Sequence, residues 1–279
     1  MTTSQDIFQG EVAVITRASA SIGAGFAEHA ASLGMKLVLA DIAEDRLAAV
    51  VQGLAADGAE VEGVVTDVAD PASVEALAEQ AYERFGTVDL LLNNAGIMTM
   101  GYSWEIPAER WDAALRINIG GYVDGIRAFV PRMLAEGGKA WVVNVSSVGG
   151  FLPSPLMAPY SVTKFGTLAL TESLAYELQM KQSDIQVSVV FPDSVQSEIF
   201  RVDAPGRAAQ PEVAAFNAQL QARADSAGIT ALEHARRCFE QIAEGRYWVF
   251  PQPEMVDAAL RSRTDMILGR QSPVLNPDL

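Results

Sequence analysis

Apolar residues fall in short, nearly continuous runs along the chain, separated by longer stretches of helical periodicity. The runs are Glu11–Thr16, Lys36–Ala40, Glu60–Val65, Val88–Leu92, Ala140–Val145, Ile185–Phe191 and Tyr247–Phe250. Runs of this kind without polar alternation fit parallel strands covered on both faces. The segments between them carry alanine-rich helical patterns. The predicted order is β-α-β-α-β-α-β-α-α-β-α-β-α-α-β-α. Asp70-Pro71 marks one helix start, because Asp caps and Pro fits the first turn. The pattern predicts an α/β fold with a doubly wound parallel sheet of about seven strands and helices on both faces.

No Pro/Gly/Ser-rich linker interrupts the alternation, so residues 1–279 read as a single domain. The polar, alanine-rich stretch around 197–228 reads as a helical insertion. The stretch 251–279, with Pro251, Pro253, Pro273 and Pro277, reads as a loosely held tail.

Composition narrows the class of function. The net charge is −15, which argues against nucleic acid or anionic membranes as partners. No run of 18 apolar residues occurs, and the N-terminus lacks the basic and apolar regions of a signal peptide. One cysteine, Cys238, excludes an internal disulfide, and with two histidines it leaves no set for a structural zinc. A cytoplasmic protein without a metal is the expectation.

Three groups of residues carry candidate chemistry. The first is the turn Arg17–Gly25 between the first strand and the first long helix, with Asp41 closing the second strand. A strand–turn–helix–strand unit with an acid about 20 residues beyond the turn is the layout of a dinucleotide site. The second is Asn93-Asn94-Ala95-Gly96 after the fourth strand. The third is Tyr160 and Lys164, four apart on a helix and so on one face, with Ser147 thirteen positions upstream of the tyrosine. A nearby ammonium lowers a phenol's pKa from about 10 and suits it to proton transfer.

Taken together, Asn94-Ala95-Gly96, Asn118, Ser147 and Tyr160-x-x-x-Lys164 make the chain similar to the short-chain dehydrogenase/reductase family, from about Glu11 to Phe250. The resemblance implies a catalytic set of Asn118, Ser147, Tyr160 and Lys164. Ser147 would bind the carbonyl or alkoxide oxygen, Tyr160 would move the proton, Lys164 would lower its pKa and hold the nicotinamide ribose, and Asn118 would hold a water. It also implies dinucleotide contacts from Thr16, Arg17, Ser19, Ser21, Ile22 and Gly23 in the turn. Asp41 and Ile42 would meet the adenosine ribose, Asp67 and Val68 the adenine. Asn94, Ala95 and Gly96 follow strand four, and Pro192 and Val195 follow strand six. Asp41 favours NAD over NADP, because a carboxylate there repels a 2′-phosphate. The insertion would fold over the substrate, and the chain would form a homodimer or homotetramer.

The chain departs from the family pattern at two places. Thr-Gly-x-x-x-Gly-x-Gly becomes Thr16-Arg17-Ala18-Ser19-Ala20-Ser21-Ile22-Gly23, and the Pro-Gly after strand six becomes Pro192-Asp193. If both lost glycines sit at positive φ and the costs add, cofactor binding weakens by roughly 3–6 kcal/mol. The leading expectation is an NAD(H)-dependent oxidoreductase that interconverts a secondary alcohol and a ketone. Met98, Met100, Tyr102, Trp104, Phe151, Leu152, Leu156 and Met157 suggest a hydrophobic or bulky substrate, a small-molecule alcohol or ketone. Two alternatives stay open: non-redox acid–base chemistry on the same fold (dehydration, isomerisation or cyclisation), and a non-catalytic binding protein.

Overall fold

The computed structural model describes residues 3–197, 199 and 210–275. Helix α1 spans Ser4–Phe8 and strand β1 Val12–Thr16. Then come α2 Ser21–Ser32, β2 Lys36–Asp41, α3 Glu44–Ala56, β3 Val61–Val65, α4 Pro71–Phe85 and β4 Leu90–Asn93. Helix α5, Ala108–Leu115, runs through a π turn at Arg116–Gly120 into α6, Gly121–Glu136. Strand β5 is Ala140–Val145, α7 Ala158–Met180, β6 Ile185–Val190, α8 Pro211–Ala227, α9 Ala231–Ala243, β7 Trp248–Val249 and α10 Asp257–Leu268.

The seven strands form one parallel sheet in the order β3-β2-β1-β4-β5-β6-β7. The order reverses between β1 and β4, and such a switch point opens a crevice at the strands' carboxyl ends. Alternate strand residues feed two cores. Ala13 and Ile15 face α2 and α9, through Phe26, Ala30 and Phe239. Val12 and Val14 face α4, α6 and α7, through Leu77, Phe129 and Leu178. The predicted doubly wound architecture is therefore the observed one.

Local signals set several boundaries. Asp70 accepts a hydrogen bond from the Ala72 amide at 3.0 Å to start α4, and Gly86 ends it at φ 78°. The short helix α1 was not anticipated. Thr3 and Asp6 cap it reciprocally, and Phe8 is buried against Trp141 and Phe239 at 4.9 and 5.1 Å between rings.

The stretch after residue 250 is more structured than its prolines suggested. Pro253 opens a 3₁₀ turn, where a missing N–H costs little, and α10 follows without an internal proline. Val256, 2% exposed, packs with Phe151, Val189 and Phe191. In the expected insertion, residues 201–209 lie outside the described residues, as do 198 and 200. Its remainder is mainly α8.

Candidate active site

The turn from β1 to α2 is held by its neighbours. The Thr16 hydroxyl accepts the Asn94 and Ala95 amides at 2.9 and 3.1 Å, and the Asn94 side chain donates to the Thr16 carbonyl at 3.0 Å. Arg17 and Ser21, which stand where the family pattern has glycine, both lie at positive φ, 54° and 52°. Gly23 has no alternative. A Cβ there would lie 1.9 Å from the Arg17 carbonyl oxygen. No side chain caps the start of α2, so main-chain N–H groups of this twelve-residue helix face the crevice.

Asp41 is 6% exposed and already well bonded. One oxygen accepts the Ser19 amide at 3.0 Å and the Ser19 hydroxyl at 2.6 Å; the other accepts the Ala43 amide at 3.0 Å. It therefore ties the turn to the end of β2, and the oxygen that takes only the Ala43 amide keeps acceptor capacity. Ile42 beside it is exposed. Asp67 is exposed and accepts the Ala69 amide at 2.9 Å, while Val68 packs half-buried against the core near Gly121.

At the other end of the crevice, α7 presents Tyr160 and Lys164 one turn apart. The Lys164 nitrogen lies 5.7 Å from the Tyr160 ring centre and donates to the Val145 carbonyl at 2.7 Å. Tyr122 donates to the same carbonyl at 2.9 Å. The Ser146 hydroxyl is committed to the Lys164 carbonyl at 2.9 Å, whereas Ser147 hydrogen-bonds Tyr160.

Charge in this cluster is distributed differently from the simple tyrosine–lysine picture. Burial pushes the Tyr160 phenol up; the Ser147 hydrogen bond and the Arg17 cation pull it back. Lys164 itself is pushed down to about 7, first by burial and then by Arg17. A buried ammonium with no carboxylate beside it loses much of its charge. Arg17 therefore joins Lys164 as a cation near the phenol.

Asn118 sits in the π turn, a distortion often found at functional sites. Its side chain accepts the Ile97 amide at 2.8 Å and donates to the Ile97 carbonyl at 2.9 Å and the Thr163 hydroxyl at 3.0 Å. The amide is thereby engaged in bracing the loop after β4.

A cavity of about 390 Å³ joins these parts. Arg17, Ser21, Ile22, Gly23, Asn94 and Gly96 form one wall. Ser147, Tyr160, Lys164, Pro192 and Val195 form another. Thr16, Ser19, Asp41, Ile42, Asp67, Val68, Ala95 and Asn118 are not among its lining residues.

The chain matches the family model described as short chain dehydrogenase over residues 11–207. It is 32% identical over 256 residues to a CLA biosynthesis dehydrogenase/reductase of Lactiplantibacillus plantarum, covering 88% of this chain and 90% of the relative. It is 36% identical over 195 residues to a 1-deoxy-11-beta-hydroxypentalenate dehydrogenase of Streptomyces avermitilis, covering 69% and 72%. The crystal structure of a short chain dehydrogenase/reductase from Burkholderia phymatum, in complex with NAD, aligns with a TM-score of 0.92. That structure is 39% identical, with 98% of this chain and 99% of that chain covered. The chain belongs to the short-chain dehydrogenase family.

Within this family member, the sequence located the turn and the tyrosine cluster and expected an insertion over the substrate, but did not name the residues of that roof. Phe216 and Leu220 of α8 pack with Met98, Met157 and Tyr160, leaving Tyr160 8% exposed. Leu152 also lines the cavity, while Met100 and Leu156 support that cluster from behind. Phe151 belongs instead to the packing around Phe191, and Trp104 is exposed, stacked on Tyr102 at 5.0 Å. Arg223 of α8 meets Asp193 after β6, with N–O distances of 3.1 and 3.0 Å. Asp193 was read only as a lost glycine; nothing local in the sequence pairs it with a residue 30 positions on.

Proposed function

We propose that this oxidoreductase is NAD(H)-dependent and interconverts a secondary alcohol and a ketone on a small hydrophobic substrate, with Tyr160 as acid and base. One observation carries the reading. Ser147, Tyr160 and Lys164 line the same cavity as the Gly23 turn.

The turn fits a dinucleotide. Gly23 leaves room that any side chain would fill, and the uncapped start of α2 suits a pyrophosphate. Arg17 lines the cavity beside it and supplies a positive charge. Asp41 would accept from ribose hydroxyls and repel a 2′-phosphate, which favours NAD over NADP. The NAD-bound state of the Burkholderia phymatum relative supports this preference.

A bound nicotinamide ring would supply the hydride acceptor or donor. The chain's own residues handle the proton. In alcohol oxidation the Tyr160 oxygen takes the hydroxyl proton while Ser147 hydrogen-bonds the same oxygen; in reduction the flow reverses. Arg17 holds the phenol nearer its working range, and Lys164, near neutrality, can accept or release a proton beside it. Phe216, Leu220, Met98 and Met157 exclude water and receive an apolar body. The relative named for 11-beta-hydroxypentalenate supports a hydroxylated hydrophobic substrate.

The same reading places the protein in the cytoplasm as a homodimer or homotetramer. Exposed Val162, Tyr176 and Met180 on α7 support self-association. Among the described residues no helix is long and apolar enough to cross a membrane.

The backbone at Arg17 and Ser21 favours the second reading, cofactor-independent acid–base chemistry, because both residues hold strained conformations next to the pyrophosphate position. Titration with NADH and NADPH, followed by a screen of secondary alcohols, separates the two. Micromolar NADH binding with weaker NADPH binding supports the redox reading. Absence of binding to either at millimolar concentration overturns it.

A further inference from the structure

The described charged residues that line the cavity are Arg17, Lys164, Arg223 and Asp193. Three bases against one acid is unusual in a chain with 35 acidic and 20 basic residues. The chain as a whole repels anions, yet this cavity is lined by two arginines, by Lys164 near neutrality and, among the described residues, by a single acid. Arg17 lies at the pyrophosphate turn and Lys164 beside Tyr160. Arg223 belongs to neither. It stands in the roof helix, near Leu220, and meets Asp193 after β6.

Arg223 is held, but not saturated. Both of its recorded hydrogen bonds leave from Nη2, to the two Asp193 oxygens at 3.1 and 3.0 Å. A guanidinium has five N–H donors. Nε and both hydrogens of Nη1 make no hydrogen bond among the described residues. Asp193 is well buried, its side chain 8% exposed against 48% for Arg223. The acid therefore fixes the guanidinium plane from below and leaves another edge for a ligand. That edge can take a carboxylate by two parallel bonds, the geometry in which arginine is most selective. The lining also includes Ile199, Leu220 and Val256, with Ser194 and Ser197 next to Asp193 in the chain.

We infer that Arg223 receives the carboxylate of an otherwise apolar hydroxy- or keto-acid, whose hydrocarbon body lies against Met98, Met157 and Leu220. This specifies the substrate class of the proposed dehydrogenase and rests on that reading. Asp193 tunes the site: it orients Arg223 and sets a repulsion that the second edge must overcome. A neutral alcohol of the same length forgoes the charge-assisted bonds.

The test uses octanoate and 1-octanol as probes, titrated by calorimetry into the full chain with and without saturating NADH. Octanoate should bind about tenfold or more tightly than octanol, as a charge-assisted pair requires. In Arg223→Gln that preference should fall about tenfold, and Arg223→Lys should recover part of it. Arg223→Gln leaves the buried Asp193 carboxylate without its cation and should melt below the parent, so the readout is the ratio of the two affinities in the folded variant, with Arg223→Lys keeping the charge. A preference unchanged in Arg223→Gln overturns the inference. So does a parent chain that binds octanol as well as octanoate, or binds neither below about 10 mM. Failure of NADH to bind counts against the dehydrogenase reading, whereas the octanoate preference of the free protein still decides the role of Arg223.

Discussion

Lys164 donates to the main-chain carbonyl of Val145 at 2.7 Å, at the buried end of β5. This bond anchors an ammonium that has lost its water and faces another cation, and its pKa falls to about 7. An amine with a folded pKa near 7 and an ordinary value of 10.5 binds fewer protons when folded than when unfolded across that interval. Stability therefore rises with pH from about 7 towards 10.5 as far as this group is concerned. Lys164→Met should remove that component. The check is a comparison of melting temperatures for the two proteins at pH 7 and pH 9. The parent should gain more than the variant, and equal gains would show that Lys164 keeps its charge when folded.

Tyr160 and Ser147 are expected to separate chemistry from binding. Tyr160→Phe keeps the ring packed between Met98 and Phe216 and deletes the proton carrier. Turnover should fall about 10²–10⁴-fold, with melting unchanged. Ser147→Ala removes one donor to the reacting oxygen and should cost about 10²–10³-fold. Steady-state rates on any secondary alcohol found in the screen, with NADH titration alongside, read both effects. Full activity in Tyr160→Phe would rule out the proton-transfer role.

The parts of this architecture that sequence made legible are those set by local rules. Strands buried on both faces, such as Leu37–Ala40 and Val142–Val145, appear as unbroken apolar runs because no residue in them meets solvent. Asp70-Pro71 and Gly86 bracket α4 through capping and a left-handed turn, both written in single residues. Tyr160 and Lys164 are brought together by one helical turn. The roof is different in kind. Leu220 and Arg223 reach the cavity only because α8 docks over α7 and the β6 end, and no short-range pattern encodes that docking. The charge state of Lys164 was equally hidden, since it depends on desolvation and on an arginine 147 positions away in the chain.

A second pH response lies at the opposite end of the sheet. Glu11 is pushed up to about 7, first by burial and then by the neighbouring Asp89 carboxylate. Asp89 accepts the Val12 amide at 2.7 Å, which keeps it beside Glu11. A carboxyl with a raised folded pKa contributes stability that is present below about 4.5 and lost as pH rises through about 7. Its sign is opposite to that of an ordinary salt-bridged acid. Glu11→Gln should flatten the decline between pH 5 and pH 8 and raise the melting temperature at pH 8. Urea unfolding at the two pH values measures it, and a variant less stable than the parent at pH 8 would contradict the assignment.

The turn after β1 holds two opposite predictions two residues apart. At Gly23 a methyl group would overlap the Arg17 carbonyl at 1.9 Å and crowd the Asn94 amide at 2.7 Å. The first contact is backbone, fixed in turn by Asn94, so neither side can yield cheaply. Gly23→Ala should cost about 1–3 kcal/mol and weaken NADH binding, because relief requires moving the pyrophosphate turn. Ser21 stands at φ 52°, where a side chain costs about 1–2 kcal/mol. Glycine removes that strain but adds about 0.5–1 kcal/mol of unfolded-chain entropy. Ser21→Gly should therefore stabilise the fold by up to about 1 kcal/mol and tighten NADH binding. Urea unfolding and NADH titration of the two variants measure both signs together. Stabilisation by Gly23→Ala, or destabilisation by Ser21→Gly, would mean that the turn relaxes in solution to a different backbone path.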